Sequence, residues 1–116
     1  DPAVQQIARD HLGNDPRVRF VLQDGDEFLR SANAGGPYDL IFADTWPGKY
    51  RLLAEALNLL APGGLYVIDD MLPQANWPAD HAPKVAALIA HLESRPDLHT
   101  TKLAWASGLI LVTRRL

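Results

Sequence analysis

The spacing of apolar residues changes several times along the chain, and each change marks an element. Val4, Ile7, Ala8, His11 and Leu12 recur at helical spacing, Pro2 suits a first helical turn, and Gly13 with Asn14 supplies a stop. "RVRFVL", Arg17 to Leu22, alternates and then runs apolar into Asp24-Gly25-Asp26, which predicts a strand entering a turn and a short helix over Glu27 to Ala32. "YDLIFA", Tyr38 to Ala43, is nearly continuous in apolar character, as suits a central parallel strand covered on both faces, and it ends on Asp44. From Lys49 to Leu60 the set Leu53, Ala56, Leu57 and Leu60 restores helical spacing, and "APGG" ends that helix. "LYVID" returns as a strand. After the loop "MLPQANWPADH", Val85, Leu88, Ile89 and Leu92 mark a further helix that Arg95-Pro96 stops. "LHTTKLAW" and "LILVTRR" are separated only by Ala106-Ser107-Gly108, too short for a parallel crossover, so they predict an antiparallel hairpin.

The resulting order is helix, strand, helix, strand, helix, strand, helix, strand, strand: an α/β, Rossmann-like doubly wound sheet closed by a C-terminal antiparallel hairpin. The 116 residues suit one domain. Eleven Lys+Arg against fourteen Asp+Glu, net −3 without a basic block, argue against nucleic acid or a membrane surface as partner and leave a small molecule. The lack of cysteine removes disulfides, thiolate nucleophiles and Cys-based metal sites, and suits a cytoplasmic protein. No stretch approaches the ~20 apolar residues of a membrane span.

In open sheets of this kind ligands bind outside the carboxyl ends of the strands. Asp24, Asp44, Asp69 and Asp70 all fall at such ends. Asp44 with the pair Asp69-Asp70 offers hard oxygen ligands suited to magnesium, calcium or manganese. Capping of turns and helices is the plainer use of any one of them. The adjacent pair favours a site, because side-by-side carboxylates repel unless a cation, a donor or water relieves them.

At these residues the chain resembles the class I S-adenosylmethionine-dependent methyltransferases, and among them the O-methyltransferases related to catechol O-methyltransferase. "VRFVLQDGDEFL" is similar to that family's third strand and acidic turn, "YDLIFADTWPGKY" to its fourth strand and loop, and "LLAPGGLYVIDDML" to the next helix end and fifth strand. The resemblance implies S-adenosylmethionine as cofactor, magnesium as the candidate metal, and a small-molecule acceptor carrying a hydroxyl. It implies that Asp24 accepts a hydrogen bond from the adenine, with Gly25 behind it. It further implies that Trp46 packs near the cofactor and that Asp44, beside the transferable methyl, ligates a metal completed by Asp69 and Asp70.

Two residues depart from the family's pattern. Asp70 stands where metal-dependent relatives usually have Asn, and Pro47 stands where they have Lys, with Lys49 the nearest amine. Methyl transfer from a sulfonium is an in-line displacement that needs a deprotonated or nearly deprotonated oxygen. Deprotonation would then fall to the metal, to Lys49 or to His81, while a solvated Lys49 and an ordinary loop histidine are the plain alternatives. Trp105, in a strand-like run, is expected to pack on the sheet, and Trp77 to stay bland or to wall the acceptor pocket.

The Gly-rich turn that holds the methionine end of the cofactor, and the acidic residue for its ribose, find no counterpart in these residues. Residues 1–116 are therefore expected to be the C-terminal part of a single methyltransferase domain, lacking the first strands of the fold and inactive alone. "RVRFVL" would lack its neighbour and could pair with another copy, so a homo-oligomer is a candidate state. A methyltransferase-like fold without activity, serving binding or assembly, is the alternative that Pro47 and Asp70 favour. A receiver domain would open on its acidic pair and has no place for the hairpin, and the same hairpin speaks against a nicotinamide-dependent oxidoreductase.

Overall fold

In the computed structural model the backbone of residues 1–116 is described, with every side chain except that of Asn33. Local chemistry starts the first two helices. The Asp1 carboxylate accepts from the amides of Ala3 and Val4 and opens α1 (Pro2–Leu12), and Asp24 does the same for α2 (Gly25–Arg30) through the amides of Asp26 and Glu27. A short 3-10 turn, Ala32–Ala34, leads to β1 (Tyr38–Ala43). Then follow α3 (Leu53–Asn58), β2 (Leu60–Ile68), α4 (His81–Ser94), β3 (Leu98–Leu103) and β4 (Leu109–Arg114).

The four strands form one sheet in the order β1-β2-β4-β3. β1 and β2 are parallel, and β4 runs antiparallel to both β2 and β3, which is the hairpin read from the sequence. Tyr66 lies opposite Val112 and Ile68 opposite Ile110, so these four share one face of the sheet, where each is at most 1% exposed. Val85, Leu88 and Leu92, one stripe of α4, complete that core with Ala56 and Leu57 of α3.

Five expectations need correction. Arg17–Leu22 forms no strand: a strand requires a ladder partner, and no strand of the described residues pairs with it. The segment is instead tied to α1, where the Gln5 side chain donates to the Val21 carbonyl at 2.9 Å and the Arg9 guanidinium lies 4.8 Å from the Phe20 ring. β1 is consequently an edge strand and not a strand covered on both faces, with Leu40 59% and Phe42 56% exposed. The open edge thus belongs to β1 and not to "RVRFVL". The helix expected from Lys49 begins only at Leu53, because residues 46–51 wrap around the Trp46 carbonyl, which accepts from the amides of Lys49, Tyr50 and Arg51, and Leu52 turns the chain with φ of 54°. Finally, Trp105 does not pack on the sheet: it lies outside the hairpin strands, at the first position of the turn between them, and is 69% exposed.

That turn is fixed at its other end. Gly108 has φ of 90°, and a Cβ there would stand 2.4 Å from the Leu72 backbone nitrogen, so the turn seats directly on the chain that leaves β2. Met71 and Leu72 donate to the carbonyls of Gly108 and Ser107 at 3.0 and 2.9 Å. Gly108→Ala is expected to lower the unfolding free energy by roughly 2 kcal/mol or more in a urea titration, whereas Trp105→Ala stays within about 0.5 kcal/mol of wild type.

Candidate functional site

The parallel register aligns Ala43 with Ile68, so the next residue of each strand, Asp44 and Asp69, emerges at the same carboxyl edge. The ladder is carried one step further by the Asp69 amide, which donates to the Ala43 carbonyl at 3.3 Å. Asp44, Asp69 and Asp70 each offer a carboxylate oxygen within 4.8 Å of the others. Among the sequence candidates these are the ones the fold gathers most closely.

Asp70 occupies the left-handed region with φ of 58°, a conformation that Asp and Asn tolerate better than most residues. Its departure from Asn therefore changes the charge of the site without changing what the backbone demands. Asp69 is the anchored member: its Oδ1 accepts from the Asp70 amide at 2.8 Å and from the Ser107 hydroxyl at 2.9 Å.

Lys49 joins the acidic set from the loop after β1. It is not a solvated residue, being only 5% exposed, and its Nζ donates to the Asp69 carbonyl at 2.6 Å. Burial pushes its pKa below the ordinary lysine value, while Asp70, Asp44 and Asp69 pull it back up.

The loop that delivers Lys49 is clamped at three points. The Tyr66 hydroxyl, rising from the core face of β2, donates to the Gly48 carbonyl at 2.6 Å. Gly48 has φ of 83°, and a Cβ there would meet that same hydroxyl at 2.6 Å. Pro47 lies against Gly25, where an added Cβ would stand 2.7 Å from its ring, and Arg51 pairs with Asp26 at 2.8 Å.

A cavity of about 340 Å³ opens over this cluster, lined by Asp44, Lys49 and Asp70 on one side and by Trp46, Tyr50, Trp77 and His81 on another. Trp77, from the loop after β2, thus takes the walling position, and its ring meets His81 edge-on at 4.6 Å. His81 is buried at the start of α4, with Nε2 3.3 Å from the Tyr50 hydroxyl. Trp46, Lys49 and Tyr50 also line a larger cavity of about 480 Å³ against α4, whose described lining holds no carboxylate.

Asp24 and Gly25 lie outside the cavity lining, at the start of α2. The Asp24 Oδ1 is occupied by its two capping bonds, whereas Oδ2 has no protein partner among the described residues.

Tyr66, Gly48, Tyr50 and Ser107 escaped the reading of the sequence. Tyr66 looks like any alternating strand residue, and Ser107 like a hairpin-turn residue, until the turn packs onto β2. Only the Gly in "PGKY" carried a local signal.

No protein-family profile matches the chain, and no curated protein does. Solved structures match over essentially its whole length. A candidate O-methyltransferase from Klebsiella pneumoniae aligns at TM-score 0.80 and 26% identity, over 100% of this chain and 59% of its own. The O-methyltransferase from Bacillus cereus in complex with SAH gives 0.81 at 19% identity, over 99% of this chain and 60% of that one. TomG from Streptomyces achromogenes, an O-methyltransferase involved in tomaymycin synthesis and determined with SAM, gives 0.76 at 19%, over 100% and 59%. The chain has the Rossmann-like α/β fold of these O-methyltransferases. It spans about three-fifths of their length, a share consistent with the C-terminal part that the sequence resembles.

Burial raises the Tyr66 phenol well above its ordinary value. The folded state therefore keeps that proton where the unfolded chain, titrating near pH 10, releases it, and the stability present below about pH 10 is lost as pH rises further. Tyr66→Phe is expected to cost roughly 1–3 kcal/mol at neutral pH, because the Gly48 carbonyl loses its donor, and to flatten the loss above pH 10 by up to about 1.4 kcal/mol per pH unit. Denaturant titrations at pH 7 and at two alkaline values measure both effects.

Proposed function

We propose that the chain forms the acceptor-side part of an S-adenosylmethionine-dependent O-methyltransferase acting on a hydroxyl of a small molecule. The observation that carries this reading is the convergence of Asp44, Asp69 and Asp70 beside an aromatic-walled cavity, on a fold shared with SAM- and SAH-bound O-methyltransferases.

The donor set fits a hard divalent cation. Three carboxylates with oxygens within 4.8 Å of one another, backed by a single buried ammonium, leave an excess of negative charge that such an ion relieves. Asp44, Asp69 and Asp70 would hold the ion, with magnesium the leading candidate. The set also fits the cofactor where it can be tested, since the free Oδ2 of Asp24 is able to accept from an adenine amino group. Gly25 also lets the loop approach α2, since Pro47 takes the space where a Cβ would stand. When bound, the cofactor supplies an electrophilic methyl on its sulfonium, and the cation lowers the pKa of the acceptor hydroxyl.

The remaining roles fall to the chain. Trp46 and Trp77 orient the acceptor and exclude water from one side of the cavity. Lys49 supplies the amine that the family pattern places at position 47; it is partly desolvated, lines the cavity and faces the carboxylates, so it can help carry the acceptor's proton. A fold of this kind without activity is the second reading, favoured by Pro47, which is committed to packing on Gly25.

Calorimetric titration of the full-length protein with S-adenosylmethionine, with and without magnesium, tests the proposal. Binding is expected, strengthened by magnesium, and weakened at least tenfold, about 1.4 kcal/mol, in Asp44→Ala. A folded full-length protein that binds no S-adenosylmethionine would contradict the enzyme reading and favour the inactive one.

A further inference from the structure

His81 is 8% exposed, and its Nδ1 is buried without a hydrogen-bond partner among the described residues, while Nε2 lies 3.3 Å from the Tyr50 hydroxyl. Either neutral tautomer preserves the contact with Tyr50, so the difference between them lies at Nδ1. With the proton on Nδ1, a buried N–H has no acceptor. With the proton on Nε2, only a lone pair goes unused, and proteins tolerate unused acceptors more readily than orphaned donors. The second arrangement makes Nε2–H the donor and the Tyr50 oxygen the acceptor.

Its consequence is directional. The phenolic proton of Tyr50 is then available to another group, and the described residues offer it no acceptor. Tyr50 and His81 both line the cavity that holds Asp44 and Asp70. The ring of His81 is fixed by edge-on contacts with Tyr50 at 5.2 Å and with Trp77 at 4.6 Å, which hold the pair in register.

We infer that His81 is a positioning residue which, by donating from Nε2, turns the Tyr50 hydroxyl into a hydrogen-bond donor for the ligand of this cavity. What it selects for on that ligand is an oxygen able to accept the Tyr50 hydrogen bond inside this aromatic-walled cavity. This inference rests on the proposed function only in taking the cavity as the place where the acceptor binds.

Two measurements on the full chain test it, and neither needs cofactor or turnover. The first is long-range proton–nitrogen correlation of the imidazoles at neutral pH, with His81 identified by removing His11, His91 and His99, all exposed, one at a time as His→Gln. A His81 carrying its proton on Nε2 with a bare Nδ1 is expected; a proton on Nδ1, alone or together with one on Nε2, overturns the inference. The second is titration with catechol in the presence of magnesium. Catechol is expected to bind wild type and to bind Tyr50→Phe roughly three- to tenfold more weakly, the effect of one neutral hydrogen bond. Equal affinity for the two proteins, or no binding to a folded wild type, overturns the donor role. Because these readouts do not involve S-adenosylmethionine, they can fail while cofactor binding succeeds, and the reverse.

Discussion

The pairing of β1 with β2 is the constraint from which the site follows. Parallel neighbours lie about 4.8 Å apart, and once Ala43 is set opposite Ile68 the residues that follow them leave the sheet side by side. Had β1 slipped by one residue against β2, its own faces would have inverted, turning Ala43 away from the core that Tyr66 and Ile68 fill with Ile110 and Val112. Burial of that face thus fixes where Asp44 and Asp69 stand, and hydrophobic packing positions a polar cluster that packing alone would never favour.

Two clamps convert that placement into a defined geometry. On the β1 side, the loop from Trp46 to Arg51 is held by the Tyr66–Gly48 hydrogen bond, by Pro47 against Gly25 and by Arg51 with Asp26. It delivers the Lys49 amine to the Asp69 carbonyl. On the β2 side, the β3–β4 turn seats Gly108 on Leu72 and sends the Ser107 hydroxyl to Asp69. Asp69 is therefore held from both directions, while Asp44 and Asp70 keep their carboxylates free of the hydrogen bonds that tie Asp69. Pro47 also acquires a physical reason: the position cannot both fill the space above Gly25 and present an amine, and Lys49 brings the amine two residues later.

Much of this was legible in the sequence because it depends on local pattern. The helices of Pro2–Leu12 and His81–Ser94, the closing hairpin and the carboxylates at the strand ends are written in periodicity, caps and turn length. The misread features depend on partners. Arg17–Leu22 has the composition of a strand but no ladder to join, and Tyr38–Ala43 reads as a buried central strand although one of its edges is open. Lys49 looks like a solvated helix residue because its burial comes from a loop wrapped around the Trp46 carbonyl, an arrangement without local periodicity. The contributions of Tyr66, Ser107 and the Tyr50–His81 pair all arise from contacts across eighteen or more residues, which no window of sequence can display.

The central proposal is that the carboxylates of Asp44, Asp69 and Asp70, gathered at the carboxyl edge of the sheet, would hold one cation. Manganese, as a paramagnetic stand-in for magnesium, tests it directly when titrated into the isotopically labelled full chain while amide signals are followed by NMR. The account predicts saturable broadening centred on residues 44, 69 and 70 and on the adjoining Ser107 and Lys49, abolished in Asp69→Asn. Broadening centred elsewhere, or none at millimolar manganese, would contradict it.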